Sequence, residues 1–259
     1  MYVFIIGVQS IQSGAGASTV AAALAVALSE GGVRSYAMDL TTENALALMY
    51  GMPLDNPAGL LQSDLINTHI RDCMYENDHG LAFIPMGRME PGAAAHLTAR
   101  LDAIAANLTT WLQPLHEIGE RILVVDTPRE AGSLQNWVYK NAHLVLNVAA
   151  PEPRLIPALL EFEQGSLQRQ FDLSVQSYVL VNGIAPHIQL THDIADYLKM
   201  ALSETMLLPL MIHKDQHVPE AFAKMQPLAK YAPAAQSTKD FAALALWLTK
   251  ELVSIQDKE

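Results

Sequence analysis

The sequence predicts an α/β fold, a doubly wound and mostly parallel β-sheet with helices on both faces. Short apolar runs rich in Val, Ile and Leu alternate with helical patterns along nearly the whole chain. A glycine-containing loop, residues 11–19, joins the first of these runs to an alanine-rich helical stretch, which is the order of a strand–loop–helix unit in such a sheet. Since no internal repeat and no linker interrupts the pattern, we expect residues 1–259 to form a single domain.

Seven strands are predicted where short runs of aliphatic residues are bounded by turn-forming residues. They are Val3–Gly7, Ser35–Asp39, Leu81–Met86, Ile122–Asp126, Leu144–Ala149, Tyr178–Asn182 and Leu208–Ile212. The first helix is expected at Ser18–Ser29, because closely spaced alanines and leucines end there at the pair Gly31 and Gly32. Five more helices are expected at Ala93–Leu115, Pro153–Gln168, Thr191–Leu202, Val218–Met225 and Thr238–Val253.

Composition narrows the class of protein. Of 259 residues, 51% are hydrophobic and 17% are charged, as in a globular protein with a sizeable core. The formal net charge of −11 repels phosphate backbones, so we expect no nucleic-acid partner. A single cysteine excludes a disulfide framework, and no apolar run reaches the roughly 20 residues of a membrane span. These features predict a cytoplasmic protein.

Ligands of open parallel sheets bind outside the carboxyl ends of the strands. The residues that follow the predicted strands are therefore the candidate site residues. They are the loop 11–19, Asp39, Asp126, Asn182 and the turn 213–215, which contains His213, Lys214 and Asp215.

The loop has the backbone pattern of a phosphate-binding loop. Gly14 and Gly16 allow successive N–H groups to point inward, and the helix that begins near Ser18 adds partial positive charge. Such a loop usually carries a lysine before the Ser/Thr pair, but Ala17 stands there, whereas Ser18 and Thr19 keep the hydroxyls. A glycine turn without a ligand is the alternative interpretation of the loop taken alone.

Two carboxylates strengthen the nucleotide interpretation. Asp39 and Asp126 end strands on the side of the sheet where the loop lies. One carboxylate can polarise an attacking water, and the other can hold the shell of a magnesium ion. Taken singly, each aspartate is more typical of a helix cap or turn.

The order of the loop, Asp39, the triplet "DTP" and Asn182 resembles the deviant Walker-type ATPases of the MinD/ParA class of P-loop NTPases. Aligned on the loop pattern of that class, Gln12 occupies the place of the signature lysine, Ser13 that of the first glycine and Ala17 that of the second lysine. A narrower resemblance, to the BcsQ (YhjQ) family of bacterial cellulose-synthesis accessory proteins, is carried by the stretches "LLPLMIHKD", "EAFAKMQPLAKY", "TVAAALA", "VVDTPREA" and "RLIPALL".

This resemblance implies ATP and magnesium bound in a homodimer, with Ser18 and Asp126 near the metal and Asp39 near the attacking water. It implies nucleotide contacts from Gln12, Ser13, Gly14, Ala15, Gly16, Ala17, Ser18 and Thr19, and a base lined by Asn182, His213, Lys214 and Asp215. The family is associated with the cellulose synthase complex at the inner membrane and with a small partner, BcsR. Any membrane association is thus expected to be indirect.

Three functions remain open. The first is a nucleotide-dependent dimeric scaffold of cellulose biosynthesis with weak or no hydrolysis, because a lysine or arginine in such sites contributes about 10³–10⁵ in rate. The second is an active MinD-like ATPase that localises a membrane complex, with Arg129 or Lys214 as the available substitute cation. The third, a ParA-type partition protein, needs a basic face that an acidic chain with 16 basic residues does not favour.

Overall fold

Eight strands form one sheet in the computed structural model, which describes residues 3–65, 68–77, 80–89, 92–116, 121–165, 175–202 and 206–256. The strands are β1 (Val3–Ser10), β2 (Ser35–Asp39), β3 (Tyr75–Glu76), β4 (Ala82–Ile84), β5 (Arg121–Asp126), β6 (Leu144–Ala149), β7 (Gln176–Ile184) and β8 (Leu207–His213). Their order is β3-β4-β2-β5-β1-β6-β7-β8, and every neighbouring pair is parallel except β3 and β4. The predicted fold class is confirmed.

Helices follow most of the strands. They are α1 (Ala17–Glu30), α2 (Ala45–Met49), α3 (Leu97–His116), α4 (Ser133–Asn141), α5 (Leu155–Gly165), α6 (Gln189–Ala201), α7 (His217–Ala223), α8 (Leu228–Tyr231) and α9 (Gln236–Gln256). Short 3-10 turns cover Leu60–Gln62, Ile70–Cys73 and Ala93–His96. Within the described ranges, no helix has both the length and the apolar character needed to cross a membrane.

The structure changes several predicted boundaries. The helix expected from Ala93 begins with a 3-10 turn and becomes α-helical at Leu97. The helix expected to reach Gln168 is seen as far as Gly165, and its remaining predicted residues lie outside the described part. The sequence patterns do not predict α2, α8 or β3, because elements of two to five residues are too short to show a period.

The sheet separates the core into two layers because side chains alternate along each strand. In β1, Phe4, Ile6 and Val8 pack with α1 and α9, whereas Val3 and Ile5 face α3 and α4. A third apolar cluster packs β7 against α5 and α6. All strands thus join one sheet covered on both faces; a single domain over residues 1–259 stays a prediction.

The register brings the predicted site residues to one edge. β1 lies between β5 and β6, and β2 lies on the far side of β5. Asp39 at the end of β2 is directly opposite Asp126 at the end of β5, which in turn is opposite Val8 of β1. The residues that follow β1 therefore lie beside both carboxylates at the carboxyl edge of the sheet. This is the topological switch point, because β2 and β6 lie on opposite sides of β1.

Candidate functional site

A cavity of about 570 Å³ opens at the carboxyl edge of the sheet, between the glycine loop and the segments that follow β2 and β5. Its wall is completed by the beginning of α3, at Leu97, Thr98, Leu101 and Asp102. Of the predicted nucleotide-binding residues, those that line this cavity are Ser13, Gly14, Gly16, Ala17, Ser18 and Thr19, and the predicted magnesium ligand Asp126 lines it as well. The volume lies within the range of small-molecule sites.

The loop turns on two glycines in the left-handed region. Gly14 has φ +75° and Gly16 has φ +90°, conformations that residues with a side chain rarely adopt. Gly16 precedes the first residue of α1, and its carbonyl accepts the first helical hydrogen bond, 2.9 Å from the amide of Val20. The cavity therefore faces the amino terminus of a 14-residue helix, where free N–H groups and the helix dipole favour an anion.

Asn182 supports this loop from β7. Its amide nitrogen donates a 2.7 Å hydrogen bond to the carbonyl of Ala15. It also lies 2.6 Å from the point where a Cβ atom on Gly16 would stand. Asn182 does not line the cavity described above, so its predicted contact with a base stays a prediction.

The two positions that lack lysine differ in their surroundings. Ala17 begins α1 and lines the cavity. Gln12 is buried at 4% exposure, and its Nε2 donates a 2.7 Å hydrogen bond to the carbonyl of Ala150, just after β6. Its Oε1 is buried without a partner in the described structure. The side chain of Gln12 thus connects the loop to the segment after β6, the strand beside β1, and does not line the cavity.

Sequence reasoning missed a cation beside the loop. The Arg154 guanidinium lies with Nη2 3.3 Å from the point where a Cβ atom on Gly14 would stand. It is held by an ion pair of 2.6 Å with Glu152, and both side chains are about half exposed. Arg154 lies a few residues after β6, at the carboxyl edge, so the rule that led to Asp39 and Asp126 could have found it.

Asp126 has an orphaned carboxylate oxygen. The residue is 1% exposed, and its Oδ2 is buried without a hydrogen-bond partner among the described residues. Burial, and then the charge of Asp39, raise the pKa of this carboxyl well above its usual range, while a hydrogen bond from the Ser18 hydroxyl opposes the rise. A carboxylate and a hydroxyl beside a phosphate loop are hard oxygen ligands that fit magnesium, which would screen the bound phosphates there.

Both carboxylate oxygens of Asp39 accept hydrogen bonds from the turn after β2. Its Oδ1 accepts hydrogen bonds from the amide and the hydroxyl of Thr41, and its Oδ2 accepts one from the amide of Leu46. The carboxyl is completely buried, and burial raises its pKa to about 6. In this structure Asp39 shapes the turn after β2, so its predicted action on an attacking water stays a prediction.

The turn 213–215 contacts α9. The amide and Nδ1 of His213 each lie 2.8 Å from Oδ2 of Asp240. Asp215 accepts hydrogen bonds from His217 and Ser237, and the amide of Lys214 bonds to Ile184. These three residues lie at the correct edge but do not line the cavity.

Arg129 is the one sequence-proposed substitute cation that lines the cavity. Its Nη2 lies 3.3 Å from Oε1 of Glu130; the Arg129 side chain is about half exposed and that of Glu130 is largely exposed. Its carbonyl accepts a 2.9 Å hydrogen bond from Gln135, whose amide nitrogen also lies 3.3 Å from Oε1 of the buried Gln9. Gln9 in turn donates to Asn147 at 2.8 Å. A buried polar network thus holds the segment after β5 against the centre of the sheet.

The chain is similar to known proteins over nearly its whole length. A family model for "Cellulose biosynthesis protein BcsQ" matches residues 3–249. The protein of that name from Escherichia coli K12 is 25% identical over 247 residues, which cover 94% of this chain and 93% of the relative.

Solved structures of MinD share the fold. The cell division ATPase MinD of Pyrococcus furiosus superposes with a TM-score of 0.72 at 21% identity, covering 96% of this chain and 99% of that one. MinD of Pyrococcus horikoshii, solved with Mg-ADP, gives a TM-score of 0.72 at 21% identity, covering 98% and 99%. The chain therefore has the α/β fold of the MinD/ParA P-loop NTPases.

Proposed function

The chain belongs to the BcsQ family of cellulose biosynthesis proteins, and we propose that it is an accessory protein of bacterial cellulose synthesis and secretion that binds ATP and magnesium as a homodimeric scaffold. In this proposal the nucleotide phosphates occupy the loop 12–19, and hydrolysis is weak or absent.

The observation that carries the proposal is the placement of the glycine loop over Ser18 and Asp126. The loop and Asp126 line one cavity at the amino terminus of α1, where the first N–H groups of a helix are available to a ligand, and Asp126 keeps a buried oxygen without a partner among the described residues. A buried carboxylate of this kind is costly unless a proton or a cation neutralises it. Magnesium carried by a nucleotide supplies that cation, so the same ligand satisfies the loop and the carboxylate.

The missing positive charges of the loop should affect hydrolysis of the nucleotide more than its binding. A magnesium-bound triphosphate keeps about two negative charges, and backbone N–H groups offer donors but no net charge. Gln12 is committed to Ala150, and Ala17 carries no charge, so neither lysine position supplies a cation. We therefore expect affinity for nucleotide to exceed any capacity to stabilise the transition state of hydrolysis.

The assembly part of the proposal rests on the family. We expect two copies to enclose the nucleotide between them, and we expect the dimer to act with a BcsR-like small protein and the cellulose synthase complex. In this scheme the protein is cytoplasmic and reaches the inner membrane through its partners. The chain carries a net charge of −11, which argues against a role as a DNA-partition protein.

One observation favours the alternative function, an active MinD-like ATPase that localises a membrane complex. Arg154 brings a guanidinium beside Gly14, and an arginine that meets the phosphates can replace the charge of a missing lysine. Under this alternative Arg154 contributes to turnover, whereas under the first proposal it contributes to binding alone.

Equilibrium binding and turnover on the purified full-length chain test the two functions. We expect ATP with magnesium to bind, and phosphate release to stay at the level of a control without protein. Steady phosphate release that disappears in Arg154→Gln would establish the ATPase function instead. Absence of binding by any adenine or guanine nucleotide, in the presence of magnesium, would contradict both.

A further inference from the structure

A second cavity, of about 430 Å³, lies at the opposite edge of the sheet from the nucleotide loop. Arg121 lines it and is the first residue of β5, whereas Asp126 in the nucleotide cavity is the last. Five steps along a strand separate the two residues by about 17 Å. This amino-edge cavity is therefore distinct from the site of the proposed nucleotide.

Two arginines line the amino-edge cavity. Arg121 is 9% exposed, and its Nε is buried without a hydrogen-bond partner in the part of the chain that the structure describes. Arg34 is exposed, and neither guanidinium forms an ion pair with any residue in the described ranges. Burial, and then the charge of Arg34, lower the pKa of Arg121. Two like charges in this position are unfavourable unless an anion joins them.

Arg121 is also held in place. Its guanidinium carbon lies 5.0 Å from the centre of the Tyr36 ring, a cation–π contact. The main chain is fixed nearby, because the amide of Ile122 bonds to the carbonyl of Arg34 at 3.0 Å. Arg34 immediately precedes β2, and Arg121 begins the adjacent strand β5, so this hydrogen bond limits how far the two arginines can separate.

The other walls of the cavity are apolar. Phe4, Ile122, Leu252 and Val253 line it. Val33 and Thr249 belong both to this cavity and to an apolar groove of about 320 Å³ between α1 and α9, so the two spaces are adjacent. The groove is lined by small side chains such as Ala23, Ala27, Ala242 and Ala245. The mostly apolar groove is thus adjacent to the arginines, and the acidic residue in its wall, Glu30, is paired with Lys230 at 3.4 Å.

We propose that the amino-edge cavity binds an anionic amphiphile, with a phosphate or carboxylate head group at Arg34 and Arg121 and an aliphatic chain in the groove between α1 and α9. Guanidinium groups bind both head groups through paired N–H donors. Burial of the ligand's aliphatic chain removes apolar surface of the groove from water, including part of the Leu246 side chain, which is 60% exposed. Neither feature uses a residue of the nucleotide cavity.

Calorimetric titration of the full-length chain with decyl phosphate, below its micelle-forming concentration, tests the proposal. Decanoate replaces the phosphate head by a carboxylate, decanol removes the charge, and inorganic phosphate removes the chain. We expect decyl phosphate or decanoate to bind at least about tenfold more tightly than decanol and inorganic phosphate. The tighter of the two charged probes identifies the head group.

Variants locate the binding site. Arg34→Gln and Arg121→Gln should each weaken binding of the charged amphiphile about tenfold, whereas Lys239→Gln, on the exposed side of α9 and outside both cavity walls, should leave it unchanged. Ala242→Trp, which fills the groove from an exposed position, should weaken the amphiphile to the level of inorganic phosphate. Thermal unfolding and nucleotide affinity are measured on each variant to show that the fold and the nucleotide site persist.

Two results overturn the proposal. One is that the charged amphiphiles bind no more tightly than decanol. The other is that Arg34→Gln, a change at an exposed side chain, leaves the affinity of the folded protein unaltered. Either result leaves the nucleotide proposal untouched, because the two sites share no residue.

Discussion

The amide nitrogen of Asn182 occupies the place that a side chain on Gly16 would need: it lies 2.6 Å from the ideal Cβ position. From there it bonds to the carbonyl of Ala15 at 2.7 Å. The hydrogen bond from β7 thus fixes the position of the glycine loop relative to the sheet. Glycine at position 16 is required both by its φ of +90° and by this contact.

Gly16→Ala tests this double requirement, and Gly32→Ala is the matched control. Both glycines have positive φ, +90° and +84°, but a Cβ atom on Gly32 meets nothing within 4 Å. Each change carries a backbone cost of about 1–2 kcal/mol. We expect Gly16→Ala to lower the free energy of unfolding by at least about 1 kcal/mol more than the control, because Asn182 must move. Nucleotide affinity should fall in Gly16→Ala alone; equal effects of the two changes on both measurements would contradict the role of Asn182.

The two lysine positions should respond in opposite ways. Ala17→Lys places an ammonium group at the wall of the cavity and should raise the affinity for ATP at least about tenfold. Both positions are buried, at 6% exposure for Ala17 and 4% for Gln12, but Gln12 does not line the cavity and is bonded to Ala150. Gln12→Lys therefore buries the same group away from the cavity and should lower the free energy of unfolding by about 3 kcal/mol. Chemical denaturation and nucleotide titration measure both effects. A gain of affinity in Gln12→Lys without loss of stability would show that this side chain turns toward the ligand.

Arg154→Gln should weaken ATP binding about tenfold, because it removes the guanidinium beside Gly14. Arg129→Gln is the control: like Arg154, this arginine is partly exposed and paired with a glutamate, but it belongs to the segment after β5 and is not the guanidinium placed against Gly14, so we expect less than a twofold change. Titrations with ATP and ADP at two salt concentrations measure the difference. The role of Arg154 is excluded if both variants bind ATP as the unaltered chain does.

Asp126→Asn should stabilise the protein without ligand while it abolishes the effect of magnesium on nucleotide affinity. The native pKa of Asp126 is raised well above its unfolded value, so above that unfolded value the folded state holds a proton that the unfolded state releases. Stability therefore falls as the pH rises toward the native pKa, and the charged form is unfavourable above it. We expect a gain of about 1–3 kcal/mol at neutral pH.

The same variant gives a pH test. The stability difference between Asp126→Asn and the unaltered chain should shrink as the pH falls, because the protonated carboxyl and the amide are both neutral. Asp39 is present in both chains: its pKa is raised to about 6, so both lose stability as the pH rises from its ordinary value near 3.8 to about 6, and this contribution cancels from the difference. Denaturation curves between pH 4 and 8 measure the difference. A constant difference over this range would contradict the assignment to Asp126.

The elements of the fold were largely predictable because period and composition are local. All seven predicted strands are present, and the apolar side chains of β1 divide between the two faces of the sheet. The helix stop at Gly31 and Gly32 is confirmed, since Gly31 bonds to Ala27 and Gly32 has φ +84°. The helix α4, at Ser133–Asn141, was missed, because its mean character is polar and its apolar face shows only two turns.

The candidate site was predictable only in part. The carboxyl-end rule placed Asp39 and Asp126 side by side, and their register confirms that placement. It could not predict that both carboxylate oxygens of Asp39 accept hydrogen bonds, from Thr41 and Leu46, whereas one oxygen of Asp126 has no partner among the described residues. Those bonds depend on the path of the turn after β2, which periodicity does not encode.

The sequence by itself determined how strands and helices alternate along the chain, where the loop has glycines, and that it lacks both lysines. Each of these is a property of residues that are neighbours in the sequence. Only the tertiary structure decided which charges meet. Arg154 reaches Gly14, Gln12 turns to Ala150, and Arg121 lies beside Arg34 because strands far apart in the chain are adjacent in the sheet. The register between such strands is set by packing over the whole core, so these contacts, and the chemistry that follows from them, appear only when the chain is folded.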